Sequence, residues 1–280
     1  MKKIIAAFDG LKFSESTRNY AIHLAKQTSA HLVGVFLEDF TYTSYKIYDL
    51  ISSNRGSVGV ERKKLDKKDV KLRGAAIQNF ENACRNAGLE CTIHKDRNVA
   101  IRELLHESIY ADLLIIDSRE TLTHYSEKTP TGFIRDLLTH VQCPVLVVPH
   151  LYKPIDKIVL LYDGEPSSVH AIKMFSYMLG SFKEYPMEVL SVNSPAKSLD
   201  LQDNKLMKEF MKRHFPKSGY TVIRGSPEVE IINYLKGEKD TSLVVLGAYR
   251  RGLVSRWFRP SMADSLMSGL KLPLFIAHNK

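Results

Sequence analysis

The chain has 280 residues, enough for two domains that each bury a core. It is 44% hydrophobic and 25% charged, with no run near the ~18 apolar residues that a membrane span needs. The formal net charge of +9 raises an acidic partner as a question, but much of it is interleaved with acids.

The opening run Lys3–Asp9 (KIIAAFD) is too short for a signal peptide and reads as a first β-strand. Cys84, Cys91 and Cys143 show no CxxC or metal spacing, so a reduced, cytoplasmic setting is expected. Val- and Ile-rich runs predict strands near 3–8, 30–37, 89–95, 112–117 and 144–149. Between them, helical patterns fall near 14–29, 61–87, 99–109 and 130–141. The charged run Glu61–Lys71 alternates sign as a solvated helix face does. It lacks the interleaved aromatic residues on which bases stack, so nucleic acid is not the expected partner.

The series then starts again. Lys157–Gly164 (KIVLLYDG) answers Lys3–Gly10 (KIIAAFDG), with Ser168 and Ser14 at the same offset. Strands are expected near 157–162, 186–193, 219–224, 242–247 and 272–277, and helices near 167–181, 200–214, 227–237 and 260–270. Strands alternating with helices imply parallel sheets covered on both faces. Two domains follow, 1–150 and 154–280, joined by His150–Pro154. The first half carries an insertion, mostly at 40–68, whose polar character predicts a mobile loop leading into a charged helix.

In an open parallel sheet, ligands collect at the carboxyl ends of strands where the winding reverses. Asp9 and Asp163 fall at such ends. In the loops after each fourth strand, Asp117, Glu120, Pro130 and Thr131 correspond to Gly247, Arg250, Pro260 and Ser261, each 130 residues on. Walker A spacing at Gly247–Gly252 fails, since Leu253 and Val254 stand where Lys and Ser/Thr must be. There is no HExxH or GxSxG, and the ten histidines are scattered, so neither a metal nor a catalytic set is expected.

The two Asp-Gly strand ends and the twice-preserved loop spacing resemble the universal stress protein family. Its nucleotide-binding members carry Gly-x2-Gly-x9-Gly-(Ser/Thr) after strand four. The resemblance implies two tandem flavodoxin-like (Rossmann-like, doubly wound) α/β domains with five-stranded sheets, order 3-2-1-4-5, forming an internal pseudo-dimer. A further homodimer is left open. It implies a stress-response protein and makes Asp163, Val192, Gly247, Arg250, Arg251 and Ser261 the candidate contacts for ATP or another adenine nucleotide in the second domain. Leu37 and Val192 would line the adenine pockets; as residues, both equally suit a plain core.

The glycines matter because a Gly loop offers close backbone N–H groups to phosphate. In the first half Asp117 and Glu120 would repel a polyphosphate and Pro130 has no N–H, so that site is expected to be degenerate. In the second half, Arg250, Arg251, Arg256 and Arg259 could supply anion contacts in place of lost backbone donors. Pro130 and Pro260 also suit the first residue of a helix, with Thr129 as N-cap in the first case. Asp9 and Asp163 equally suit a local turn, each carboxylate bonding nearby backbone. Three functions stay open: a nucleotide-holding stress protein, an interaction scaffold with both sites vestigial, and a slow nucleotide hydrolase using Asp163, Arg250 and a metal.

Overall fold

A computed structural model describes residues 1–39, 42–46, 48, 58–96, 98–195, 199–238, 241–247 and 262–278. The chain forms two compact units, Lys2–Gln142 and Cys143–Lys280.

In the first unit, β1 (Lys3–Asp9) lies parallel between β2 (His31–Leu37) and β4 (Leu113–Asp117), and β3 (Cys91–Asp96) adds outside β2. The order is β3-β2-β1-β4. β1 and β2 are buried at six of their seven positions, as expected for parallel strands covered on both faces. The helices are α1 (Glu15–Thr28), α2 (Val58–Asn86), α3 (Ala100–Ile109) and α4 (Gly132–His140). α1 starts where Ser14, in extended conformation, accepts from Thr17 N at 3.2 Å. It ends where Ser29 turns left-handed and donates to the Ala25 carbonyl.

One helix start differs from expectation. α4 begins after Thr131, whose Oγ1 accepts from Ile134 N at 3.2 Å, so the cap is Thr131 and not Thr129. Pro130 precedes the helix, joined to Thr129 by a cis peptide bond.

In the second unit, β6 (Lys157–Leu161) lies parallel between β7 (Met187–Asn193) and β9 (Ser242–Gly247). β8 (Gly219–Arg224) flanks β7 and β10 (Leu274–Ala277) flanks β9. Numbered within its half, this is 3-2-1-4-5. β5 (Val145–Val148) pairs antiparallel with β10, Phe275 opposite Leu146. That pairing groups β5 with the second unit, so packing divides the chain ahead of the 150–154 segment. The helices are α5 (Pro166–Met178), α6 (Asn204–His214), α7 (Pro227–Gly237) and α8 (Met262–Gly269). Proline opens α5 and α7, where its missing N–H has no helical partner to lose.

The fold is α/β, with a mostly parallel sheet and the doubly wound Rossmann-like order. Among the described residues, no helix is long and apolar enough to cross a membrane.

Candidate functional site

Each unit has a crevice at the carboxyl end of its first strand, and the two are furnished differently. In the first unit, Asp9 ends β1 opposite Leu37 and is 1% exposed. Its Oδ1 accepts from Leu11 N at 2.8 Å, the local turn that Asp-Gly favours. Its Oδ2 completes no hydrogen bond among the described residues. Burial raises the Asp9 pKa, against the pull of the Leu11 N–H, the Tyr42 hydroxyl and Lys12.

Asp117, at the end of β4, accepts from Ser14 Oγ at 2.9 Å and from Arg119 N at 2.9 Å. Glu120 is folded back onto its own loop: its Oε1 accepts from Thr121 N at 3.0 Å and Leu122 N at 3.2 Å. Thr131 Oγ1 donates to the Glu120 carbonyl at 2.5 Å. Burial, then the neighbouring Asp9 charge, pushes the Glu120 carboxyl up to about 8.

The segment after β2 fills this crevice. Tyr42 is 4% exposed, its ring 5.1 Å from that of His124 and 5.4 Å beneath the Lys12 ammonium. Burial, then Asp9, raises the pKa of its hydroxyl well above the ordinary phenol value. Arg73 of α2 donates to the Tyr42 carbonyl at 3.2 Å. Ser44 N donates to Asp69 Oδ2 at 2.8 Å, and Ser44 Oγ donates to Oδ1 of the same buried carboxylate. Tyr42–Lys46, one of the described stretches of the insertion, is thus bonded to α2, with Tyr42 beside Asp9 at the end of β1. Residues 40, 41, 47 and 49–57 lie outside the described residues.

The second crevice places Asp163 just beyond β6, Gly247 at the end of adjacent β9, and Val192 on adjacent β7. Asp163 is exposed, and its Oδ1 accepts from Glu165 N at 3.0 Å. Gly247 sits against the first turn of α5, where a Cβ would come within 2.4 Å of the Ser167 carbonyl oxygen. Val192 is half-buried, while Leu37, its first-half counterpart, is buried at 2% exposure. Arg250, Arg251, Arg256, Arg259, Pro260 and Ser261 lie outside the described residues.

Residues absent from the sequence-based set also reach this crevice. Tyr162 Oη donates to the Gln202 carbonyl at 3.0 Å, and Asn193 Nδ2 donates to the Asp200 carbonyl at 2.8 Å. The Gln202 side chain lies over Gly164, whose φ is +80°. A polar side chain in the connection after a second strand carries no motif, so the sequence offered no signal for it. Among the described residues, no group of three His, Cys, Asp or Glu could hold a metal ion.

No protein-family model matches the sequence, and no curated protein matches it. Solved structures do match in fold. A universal stress protein from Archaeoglobus fulgidus superposes with a TM-score of 0.69 at 13% identity, covering 99% of this chain and 98% of that one. A putative universal stress protein from Pseudomonas aeruginosa gives 0.63 at 15% identity, covering 99% and 93%. A functionally unknown protein from the same species gives 0.65 at 13% identity, covering 99% and 92%. Over its whole length, the chain has the fold of these proteins.

Proposed function

We propose that this chain is a tandem universal stress protein that holds an adenine nucleotide, ATP or a relative of it, in the crevice of its second unit. The observation that carries the reading is the contrast between the two strand-end aspartates. Asp9 is sealed under Tyr42, whereas Asp163 is exposed beside Gly247, at the point where the winding of a doubly wound sheet reverses.

In this reading Asp163 and Val192 face the nucleoside, and Gly247, Arg250, Arg251 and Ser261 face the phosphates. Guanidiniums are suited to that role because they bind phosphate oxygens through charged, often bidentate hydrogen bonds. The first unit then serves as a structural partner, forming the internal pseudo-dimer. The protein acts in the cytoplasm as a sensor or holder of nucleotide and not as a catalyst. Titrating ATP, ADP and AMP while following Trp257, the only tryptophan, tests this directly. Saturable change and nucleotide recovered on denaturation support it.

The second reading is an interaction scaffold with both crevices vestigial. The placing of Gln202 over Gly164 favours it, because that side chain stands where a ligand would approach the first turn. It predicts no fluorescence change and no recovered nucleotide. A hydrolase would instead show turnover that disappears in Asp163→Ala.

A further inference from the structure

We infer that the first crevice is a proton-operated latch, in which protonated Glu120 lets Tyr42 stay seated over Asp9 and loss of that proton drives the Tyr42–Lys46 segment out.

Three carboxyl groups, Asp9, Asp117 and Glu120, converge at one strand-end crevice, exposed by only 1%, 5% and 8%. They are not equally provided for. Asp117 has the Ser14 hydroxyl and the Arg119 backbone N–H, with the Arg119 guanidinium at 3.8 Å. Glu120 has two backbone N–H donors on Oε1 and no cation within ion-pair distance among the described residues. Asp9 has the Leu11 N–H on Oδ1, with the Tyr42 hydroxyl and Lys12 acting on it, but its Oδ2 completes no hydrogen bond among the described residues. Buried like charges that close cannot all ionise without a large electrostatic cost, and the cheapest relief is to keep one proton. Lys12 acts on Asp9 and Arg119 on Asp117, so Glu120, the member without a cation, is the group that keeps it; burial and the Asp9 charge push its carboxyl up to about 8.

The charged groups around the cluster do not remove this need. Lys12, from the loop after β1, is turned over the Tyr42 ring and donates to the Thr123 carbonyl at 2.6 Å. Arg73, from α2, is engaged by the Tyr42 carbonyl and by Glu38 at 3.9 Å. His124, on the Glu120 loop, meets the Tyr42 ring edge-to-face at 5.1 Å. The Tyr42 phenol stays neutral throughout, since burial and Asp9 raise its pKa.

Tyr42, buried and close enough to Asp9 and Glu120 for both charges to act on its hydroxyl, is the side chain that must move when a second negative charge demands solvation. The lid is held to its surroundings by discrete polar contacts: Tyr42 N to the Asp39 carbonyl, Arg73 to the Tyr42 carbonyl, Ser44 to Asp69 and Tyr45 Oη to Asp66, with Lys46 over the Tyr125 ring. An element tied down at such separate points can open as a unit. Closed, Glu120 binds its proton with a pKa near 8; open, it returns toward 4.5. Opening therefore releases one proton. The opening equilibrium rises roughly tenfold per pH unit between these values and levels off above 8.

Hydrogen exchange of the peptide spanning 42–46, in the full chain at pH 6, 7, 8 and 9, reads this once divided by the intrinsic exchange rate. The expected result is a roughly tenfold rise in opening per unit up to pH 8, a plateau beyond, and no rise in Glu120→Gln. A flat wild-type profile would overturn the inference without any variant. So would an undiminished slope in Glu120→Gln, or a slope abolished by His124→Asn.

Discussion

Ser14 and Asp117 are joined by a 2.9 Å hydrogen bond from the N-cap of α1 to the end of β4. At the matching place in the second unit there is no side chain to join, because Gly247 packs directly on the Ser167 backbone. The two units thus close the same helix–strand junction by different means, a bonded carboxylate in one and close backbone packing in the other. Adding a methyl group at Gly247 requires α5 or β9 to shift. Gly247→Ala is expected to destabilise the protein by about 1–3 kcal/mol, the usual cost of overpacking a tight site. Urea unfolding checks this, and an unchanged midpoint would show that the junction is loose.

How far the sequence could be read is visible at these same positions. The repeat announced both sheets and their winding, because buried parallel strands demand long apolar runs that survive duplication, as in KIIAAFD and KIVLL. Asp117 and Glu120 were legible as replacements for glycines but not as buried groups, since their burial depends on how the loop after β4 folds back on itself and onto Ser14 and Thr131. Asp9 and Asp163 look equivalent in sequence and make the same turn bond, yet one is sealed and the other exposed. The start of α4 was misplaced by two residues because Thr129 and Thr131 are both good caps, and only the fold selects between them.

The Ser44–Asp69 pair fixes the insertion to α2. Asp69 is 2% exposed, and Ser44 meets it with both its N–H and its hydroxyl. Removing the hydroxyl leaves a buried carboxylate oxygen short of a donor, which costs about 1–3 kcal/mol. Ser44→Ala should therefore lower the unfolding midpoint and speed exchange across 42–46. Asp69→Asn, uncharged and still able to accept, should cost less. Equal stability of wild type and Ser44→Ala would show that the segment is held elsewhere.

At the opposite end of the second sheet, Lys157 lies 2.8 Å from Glu188 and 3.0 Å from Glu238, and Tyr234 Oη donates to Glu188 at 2.5 Å. Burial works to raise the Glu188 pKa, but Lys157, Thr221 and Tyr234 outweigh it and hold it below the usual 4.5. For Lys157, burial works downward and the two glutamates prevail, raising it. Because the Glu188 pKa is depressed, its contribution is present above pH 4.5 and is lost as pH falls through the depressed value. Glu188→Gln should thus cost about 1 kcal/mol at neutral pH, allowing for solvent screening, and the difference from wild type should vanish in strong acid. Thermal unfolding from pH 7 down to pH 3 tests this; a gap that widens in acid would contradict the sign.

Gln202 is the residue on which the two functional readings divide. Its side chain lies over Gly164, and its carbonyl is held by Tyr162 Oη, so Asp200–Gln202 crosses the carboxyl ends of β6 and β7. A nucleotide seated beside Asp163 must either stack on this strap or displace the Gln202 side chain. Trimming that side chain leaves the backbone bond from Tyr162 intact, so Gln202→Ala should fold normally. If displacement is required, the variant should bind ATP about three- to tenfold more tightly, since about 1 kcal/mol for ordering the side chain away from Gly164 no longer opposes entry. If the strap is part of the site, the same change should weaken binding by a similar factor. Calorimetric titration of wild type and Gln202→Ala with ATP separates these outcomes, and heats of dilution alone in both proteins would favour the scaffold.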